Sequence, residues 1–390
     1  MEKKYVFILF CVALLTSCLY EPEPYLDSST KEQEATTSDL GRVFPVNTGK
    51  QICNPSISND TVHYPASILW LNFSGTLVVK DPPSDFTVNK VVQHDRLTVS
   101  DTAGRVQWFV MRDSIGVECQ FQDPEWSTHP DFIVALGGFN APGIKNCSEL
   151  DYGIMAIRLA DKKAFWFYDS NIVEEAFPHL WVDPTAKADT SALDSLEDFF
   201  GTKFVQLVYV DKNEKIAWVD YSKSDKIVTL KKPSDKSAWR VDSPLISPDG
   251  KWVVYNLMNN AYSWEAYIQE LSANSDPIPI PLEQSMMSAP AQPHWWLFQG
   301  RLFIVWAEFP SGQTMLNKSD FLDASVSDGS VGRTAMREVA LIAGGIPSDM
   351  AVEWKGSVRE VAKVPMTGGR SPDGFFMATG TNYGYLLELP

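Results

Sequence analysis

Five histidines, at positions 63, 94, 129, 179 and 294, are the first residues to test for chemistry. Imidazole titrates near neutrality and is the commonest metal ligand. No HExxH pair or other close histidine spacing occurs, so no metal site is expected. Three histidines do recur in related surroundings, as Thr128-His129-Pro130, Pro178-His179-Leu180 and Pro293-His294-Trp295. In a repeat protein, equivalent positions can face one another around an axis and gather a histidine cluster. The plainer expectation is three turn residues packed beside Trp126, Trp181 and Trp295.

Hydrolytic chemistry finds little support. Glycoside hydrolysis needs two carboxylates roughly 5–9 Å apart, and 49 Asp and Glu offer such pairs by chance. Asp249 and Asp373 read as turn formers, because Asp bonds its own backbone in tight turns and the following Gly takes positive φ. Gly369-Arg-Ser-Pro-Asp373 lacks the second glycine of a nucleophile elbow. Asp320–Gly329 places oxygen ligands in one loop without the ligand order of an EF-hand. No catalytic residue and no cofactor is therefore expected.

Tryptophan is the remaining candidate. Trp126, Trp181, Trp295 and Trp296 sit beside turns, where an exposed indole would stack on a sugar or anchor a protein interface. With His129, His179 and His294 they form the candidate binding face. For any one tryptophan, burial between structural units is the plainer expectation.

The elements that must position these residues are strands. Ser243-Pro-Leu-Ile-Ser-Pro-Asp-Gly-Lys-Trp-Val-Val-Tyr-Asn256 is a tight turn feeding an apolar run, and the pattern recurs. Further copies begin at Pro55 (PSISNDTVHY), Pro124 (PEWSTHPDFIVA) and Pro178 (PHLWVDP, resumed at Lys203–Tyr209). Two more begin at Pro293 (PHWWLFQGRLFIVW) and Arg370 (RSPDGFFMA). A second half-unit recurs at Ile154–Phe167, Trp218–Leu230 and Ile268–Leu282, giving several antiparallel strands per unit. Helical periodicity is confined to Thr190–Phe200 and Thr334–Ile342.

This plan resembles the β-propeller repeats of the TolB family, whose blades open with a Ser-Pro-Asp-Gly turn before a strand. The likeness is most specific at Ser247–Val254 and Ser371–Met377 and spans residues 43–390. It implies an all-β fold, a single propeller of about six blades, and a periplasmic, partner-binding role. Closure by an N-terminal strand is expected, either Val43–Val46 or Gly49–Ile52, which would protect the sheet edges. The wide repeat spacing places insertions at Ala186–Phe200 and Gln313–Gly332.

The N-terminus sets the compartment. Two lysines in Met1–Lys4, an apolar run Tyr5–Leu15 and Leu15-Thr16-Ser17-Cys18 describe a secretory signal, too short to span a bilayer as a stable helix. The last four residues resemble the lipobox of bacterial lipoproteins, which implies cleavage after Ser17 and diacylation of Cys18; Leu19 fits an outer-membrane address. Residues 18–41 are acidic and Pro/Ser/Thr-rich and read as a flexible tether, with residues 42–390 as the folded unit. Losing the two lysines and one glutamate of Met1–Ser17 takes the net charge from −16 to −17. Such a surface repels phosphate backbones and excludes nucleic-acid binding. Cys53, Cys119 and Cys147 allow one disulfide at most, of undetermined pairing. The expected protein is thus a lipid-anchored, non-catalytic propeller of the cell envelope, attached to the membrane through its lipid. Its partner would be an envelope protein or, alternatively, a polysaccharide. A glycan-active enzyme is the last alternative.

Overall fold

The computed structural model describes residues 36–38, 41–45, 52–167, 172–188, 195–259, 264–281, 290–309, 332–345, 347–362, 365–374, 376–380 and 384–388. The signal segment 1–17, Cys18 and the loop Asp320–Gly329 lie outside these residues.

Among the described residues, five four-stranded antiparallel sheets follow one another, each made from one run of chain and each with strands in sequential order. Blade 1 comprises β3 (Ile52–Ile57), β4 (Ile68–Asn72), β5 (Arg96–Ser100) and β6 (Val106–Met111). Blade 2 comprises β7 (Gln120–Trp126), β8 (Phe132–Asn140), β9 (Leu150–Arg158) and β10 (Lys163–Phe167). Blade 3 comprises β11 (His179–Val182), β12 (Val205–Val210), β13 (Ile216–Asp220) and β14 (Val228–Thr229). Blade 4 comprises β15 (Arg240–Ile246), β16 (Trp252–Met258), β17 (Trp264–Glu270) and β18 (Ile278–Pro279). Blade 5 comprises β19 (Pro290–Phe298), β20 (Arg301–Glu308), β21 (Arg333–Leu341) and β22 (Val352–Ala362).

A further four-stranded sheet is assembled from both ends of the chain. It orders β1 (Thr36–Ser38), β2 (Gly41–Pro45), β24 (Gly384–Glu388) and β23 (Phe376–Gly380). This terminal sheet sits between blades 5 and 1: β23 packs beside β3, and Ile57 N–H donates to Gly368 O at 3.1 Å.

The structure therefore corrects the expected count of about six blades to five. The sixth repeat opening, at Arg370, is followed among the described residues by β23 and β24, whose sheet is completed by β2 and β1 from the other end of the chain rather than by strands of the same run. Closure likewise uses two N-terminal strands rather than one. β2 pairs antiparallel with β24 through Val43 and Leu387, whereas Ile52 opens β3 and belongs to blade 1. β1 falls within the stretch read as tether. Thr334–Ile342, read as helical, is strand β21, because pairing on both sides with β20 and β22 overrides local helix propensity. The other helical reading survives as the short helix Leu196–Phe200, capped by Ser195 Oγ accepting from Asp198 N–H at 3.1 Å.

The second strands of the blades are apolar runs rather than alternating ones. β4 and β16 are buried at every position, because each sheet is covered on both faces by its neighbours. The core accordingly lies in the seams. One cluster joins Leu69, Leu97 and Val110 of blade 1 to Phe121, Ile133 and Ile157 of blade 2. Others join blades 2 and 3, 3 and 4, and 4 and 5.

Candidate functional site

The first strands of the blades carry the site. Each repeat opens with a residue followed by proline: Asn54-Pro55, Asp123-Pro124, Phe177-Pro178, Ser243-Pro244 and Gln292-Pro293. Proline has no N–H for the ladder, so it is tolerated here only at an irregularity. The pairing register breaks at this place in blades 1, 2, 4 and 5. The residue before proline takes positive φ in four blades: Asp123 (45°), Phe177 (43°), Ser243 (47°) and Gln292 (46°). Non-glycine residues in this region cost of order 1–3 kcal/mol each, and such strain persists where surrounding structure over-determines it. Here all four line one cavity of ≈ 110 Å³ on the axis.

The bulge aims the residue after proline at the same axis. In blades 1 to 5 these are Ser56, Glu125, His179, Leu245 and His294, and all five line a second cavity of ≈ 280 Å³. The two cavities share Glu125, Leu245 and His294 and so form one channel. The larger one reaches the face bearing the repeat turns, with Asn59, Pro248, Leu297 and Pro372 in its wall.

Electrostatics in the channel follow from burial. It pushes the Glu125 carboxyl up to about 7, against hydrogen bonds that favour the charged form. Those bonds are accepted by Oε1 from the Ser56 hydroxyl and, at 3.0 Å, from Trp126 N–H. Burial lowers His179 to about 3, with neighbouring His294 adding to the effect, and lowers His294 to about 4. Both imidazoles are neutral at pH 7.

Of the three candidate histidines, the structure brings His179 and His294 together and leaves His129 apart. His129 stands five residues after its repeat proline, in the turn, where both ring nitrogens are engaged. Its Nε2 donates to Ala186 O at 3.2 Å and its Nδ1 accepts from Asp131 N–H at 3.2 Å.

The candidate tryptophans sit at the blade seams. Trp126 and Trp296 are buried at 1 % and 5 % exposure; Trp181 and Trp295 are half-buried. A position rule governs their indole N–H groups. Two residues after proline, the indole reaches back: Trp126 donates to Ser56 O of blade 1 (3.1 Å) and Trp295 to Leu245 O of blade 4 (2.8 Å). Three residues after proline, it reaches forward: Trp181 donates to Pro248 O of blade 4 (3.0 Å) and Trp296 to Ser371 O before β23 (3.0 Å).

The forward pair explains the repeat turn. Ser247 Oγ donates to Asp249 Oδ1 at 2.5 Å and accepts from Trp252 N–H at 3.0 Å, closing the turn on itself. Gly250 and Gly374 take φ of 71° and 81°. A Cβ there would lie 2.7 Å from the Trp181 ring and 2.8 Å from the Trp296 ring. Each glycine is thus the seat of a neighbouring blade's tryptophan. Arg370 closes the second seat from above, its guanidinium 3.8 Å from the Trp296 centroid. Its Nε and Nη2 donate to Gly374 O at 3.1 and 2.8 Å.

Glu125 and Ser56 carry no mark of their own in the sequence, where Glu125 is one of 49 acids. The column that follows the five aligned prolines is the signal that finds both. Among the cysteines, Cys119 pairs with Cys147; the side chain of Cys53 lies outside the described residues. Among the described residues, no group of three His, Cys, Asp or Glu side chains is placed to hold a metal ion.

No family model and no curated protein matches the chain. Among solved structures it is similar to TolB from Acinetobacter baumannii, at 12 % identity and a TM-score of 0.44, over 90 % of this chain and 64 % of that one. It is also similar to a putative TolB from Agrobacterium tumefaciens, at 14 % identity and a TM-score of 0.45, over 89 % and 97 % of the two chains. An exo-1,5-alpha-L-arabinanase from a bovine ruminal metagenomic library matches at 10 % identity and a TM-score of 0.35, over 80 % and 99 %.

Proposed function

We propose that this protein is a non-catalytic scaffold of the bacterial cell envelope, tethered through a lipid on Cys18, that binds a protein partner at the turn-bearing face. The observation supporting this reading is the channel mouth. Leu297 stands there at 52 % exposure, beside Ile57, Leu245, Ile246 and the two prolines Pro248 and Pro372. A concave mouth that sets these apolar side chains, one of them exposed, among Asn59, Thr128 and Arg370 suits an anchor residue of a partner. The blades around it are tied to one another, since the indole N–H groups of Trp126, Trp181, Trp295 and Trp296 all donate to carbonyls across the seams.

The test uses the full-length protein as bait against envelope extract, with insoluble polysaccharides offered in parallel. A stoichiometric protein, lost with Leu297→Glu and kept with Ile227→Glu on the blade periphery, is the expected result. Retention on a polysaccharide with no protein captured would overturn it. Equal capture by both variants would place the partner elsewhere and overturn the mouth as its site.

A further inference from the structure

The side of the mouth beside blade 5 is cationic. Arg370 lines the mouth, lays its guanidinium 3.8 Å from the Trp296 centroid and turns Nη1 to Met336 Sδ at 3.4 Å. Arg359 approaches from the outer strand. It stands directly across from Met336 on β22, and its guanidinium lies 5.4 Å from the Phe303 centroid. The Phe303 and Trp296 rings are neighbours, 5.1 Å between centroids. The two arginines therefore reach toward each other over one aromatic platform. A third, Arg301, lies 5.2 Å from the same Phe303 ring, but Glu338 holds it, with Arg301 Nε donating to Oε1 at 3.0 Å. Lys355 nearby is likewise paired, with Glu353.

Among the described residues, neither Arg359 nor Arg370 has a carboxylate at ion-pair distance. The N–H groups of Arg370 go to Gly374 O and Met336 Sδ, which carry no charge. Burial and the neighbouring Arg359 lower Arg370 to about 10, against the opposing field of Asp373, so it remains a cation at pH 7. The ring faces offset part of this positive charge, and the rest is left without a partner in a chain whose formal charge is −16. A half-buried cation in that position gains most from an anion brought to it.

The planar fork of a guanidinium fits a carboxylate or a phosphate. A polyanion such as a nucleic acid or an anionic bilayer would meet the acidic surface beyond the platform and be repelled. An acidic side chain set beside an aliphatic one matches what the mouth offers: the two arginines, and next to them the exposed Leu297.

We infer that the protein partner at the mouth presents one or more acidic side chains, whose carboxylates are taken by Arg370 and Arg359 beside its apolar anchor. This rests on the partner reading above and specifies the chemistry of that partner.

The test repeats the capture from envelope extract with full-length protein carrying Arg359→Glu, Arg359→Lys or, as a control for net charge, Lys226→Glu on blade 3. Both altered positions are exposed. Arg359→Glu is expected to reduce capture at least about tenfold and Arg359→Lys to keep it within about threefold, with Lys226→Glu unchanged. A carbodiimide, which joins an amine to a carboxylate in contact with it, is then applied to the complex of the Arg359→Lys variant. Peptide mass spectrometry should find an amide between position 359 and an Asp or Glu of the captured protein. This second arm stands even where the reversed charge disturbs folding. Capture that withstands Arg359→Glu but is lost with Leu297→Glu would keep the mouth as the partner site and overturn the acidic contact. Loss with Arg359→Glu and no amide at position 359, or equal loss with Lys226→Glu, would also overturn it, the charge then acting through a phosphate or through the general field. Capture that is absent, or indifferent to Leu297→Glu, sinks the partner reading itself and this inference with it.

Discussion

Gly250→Ala is the sharpest perturbation of the frame that holds the channel. Two costs separate cleanly. The first is backbone strain: φ is 71°, and placing an L side chain in this region costs about 1–2 kcal/mol, offset in part by about 0.4–1 kcal/mol from a stiffer unfolded chain. The second is the clash with Trp181, whose ring atoms would lie 2.7 and 2.9 Å from the new Cβ. That ring cannot retreat freely, because its N–H is held on Pro248 O. Overpacking of this kind costs about 1–3 kcal/mol. Gly300 supplies the control, with φ of 73° and nothing within 4 Å of the methyl that alanine would add. Gly300→Ala should therefore cost about 1 kcal/mol and Gly250→Ala about 2–4 kcal/mol. Denaturant unfolding followed by circular dichroism reads both. In a Trp181→Leu background the Gly250→Ala cost should fall to that of Gly300→Ala, a coupling of about 1–3 kcal/mol. Equal costs for the two glycines, or additivity with Trp181→Leu, would refute the seat.

Three further predictions follow from the same contacts. The folded-state pKa of Glu125, about 7, lies above its unfolded value, so its contribution is full below about pH 4.5 and is lost as pH rises to about 7. Glu125→Gln should flatten that slope and stabilise the protein above pH 7 by about 3 kcal/mol, read from midpoints across pH. The lowered values of His179 and His294 act the other way: their contribution is full above about pH 6.5 and lost on acidification toward pH 3–4, so His179→Asn should reduce the loss of stability below pH 6 in thermal melts. Cys119→Ser with Cys147→Ser opens a link across a separation of 28 residues and should cost about 3 kcal/mol in denaturant unfolding.

Much of the fold is legible in the chain because its signals are local. The Pro-led turn repeats, and five of its six copies open a blade at the aligned proline. The count fails at the sixth copy, where the partner strands come from the other end of the chain and no local signal records a pairing between Val43 and Leu387. Thr334–Ile342 misleads for a related reason, since its strand state is imposed by neighbours on both sides. At the site, His179 and His294 stand out by their shared place after proline. His129 groups with them by its neighbouring Pro rather than by its distance from the repeat proline, which puts it in the turn. Tryptophan type alone does not show which carbonyl each indole reaches. That depends on whether it stands two or three residues after the bulge, and the bulge itself appears only once strands are paired.

The central claim is that the turn-bearing face around the channel mouth receives a protein partner. A photo-crosslinking residue placed at Leu297 in the full-length protein in living cells tests it most directly, with Ile227 as the peripheral control. The account predicts one discrete protein adduct from Leu297 and none from Ile227. Adducts from Ile227 with none from Leu297, or no adduct from either, would contradict it.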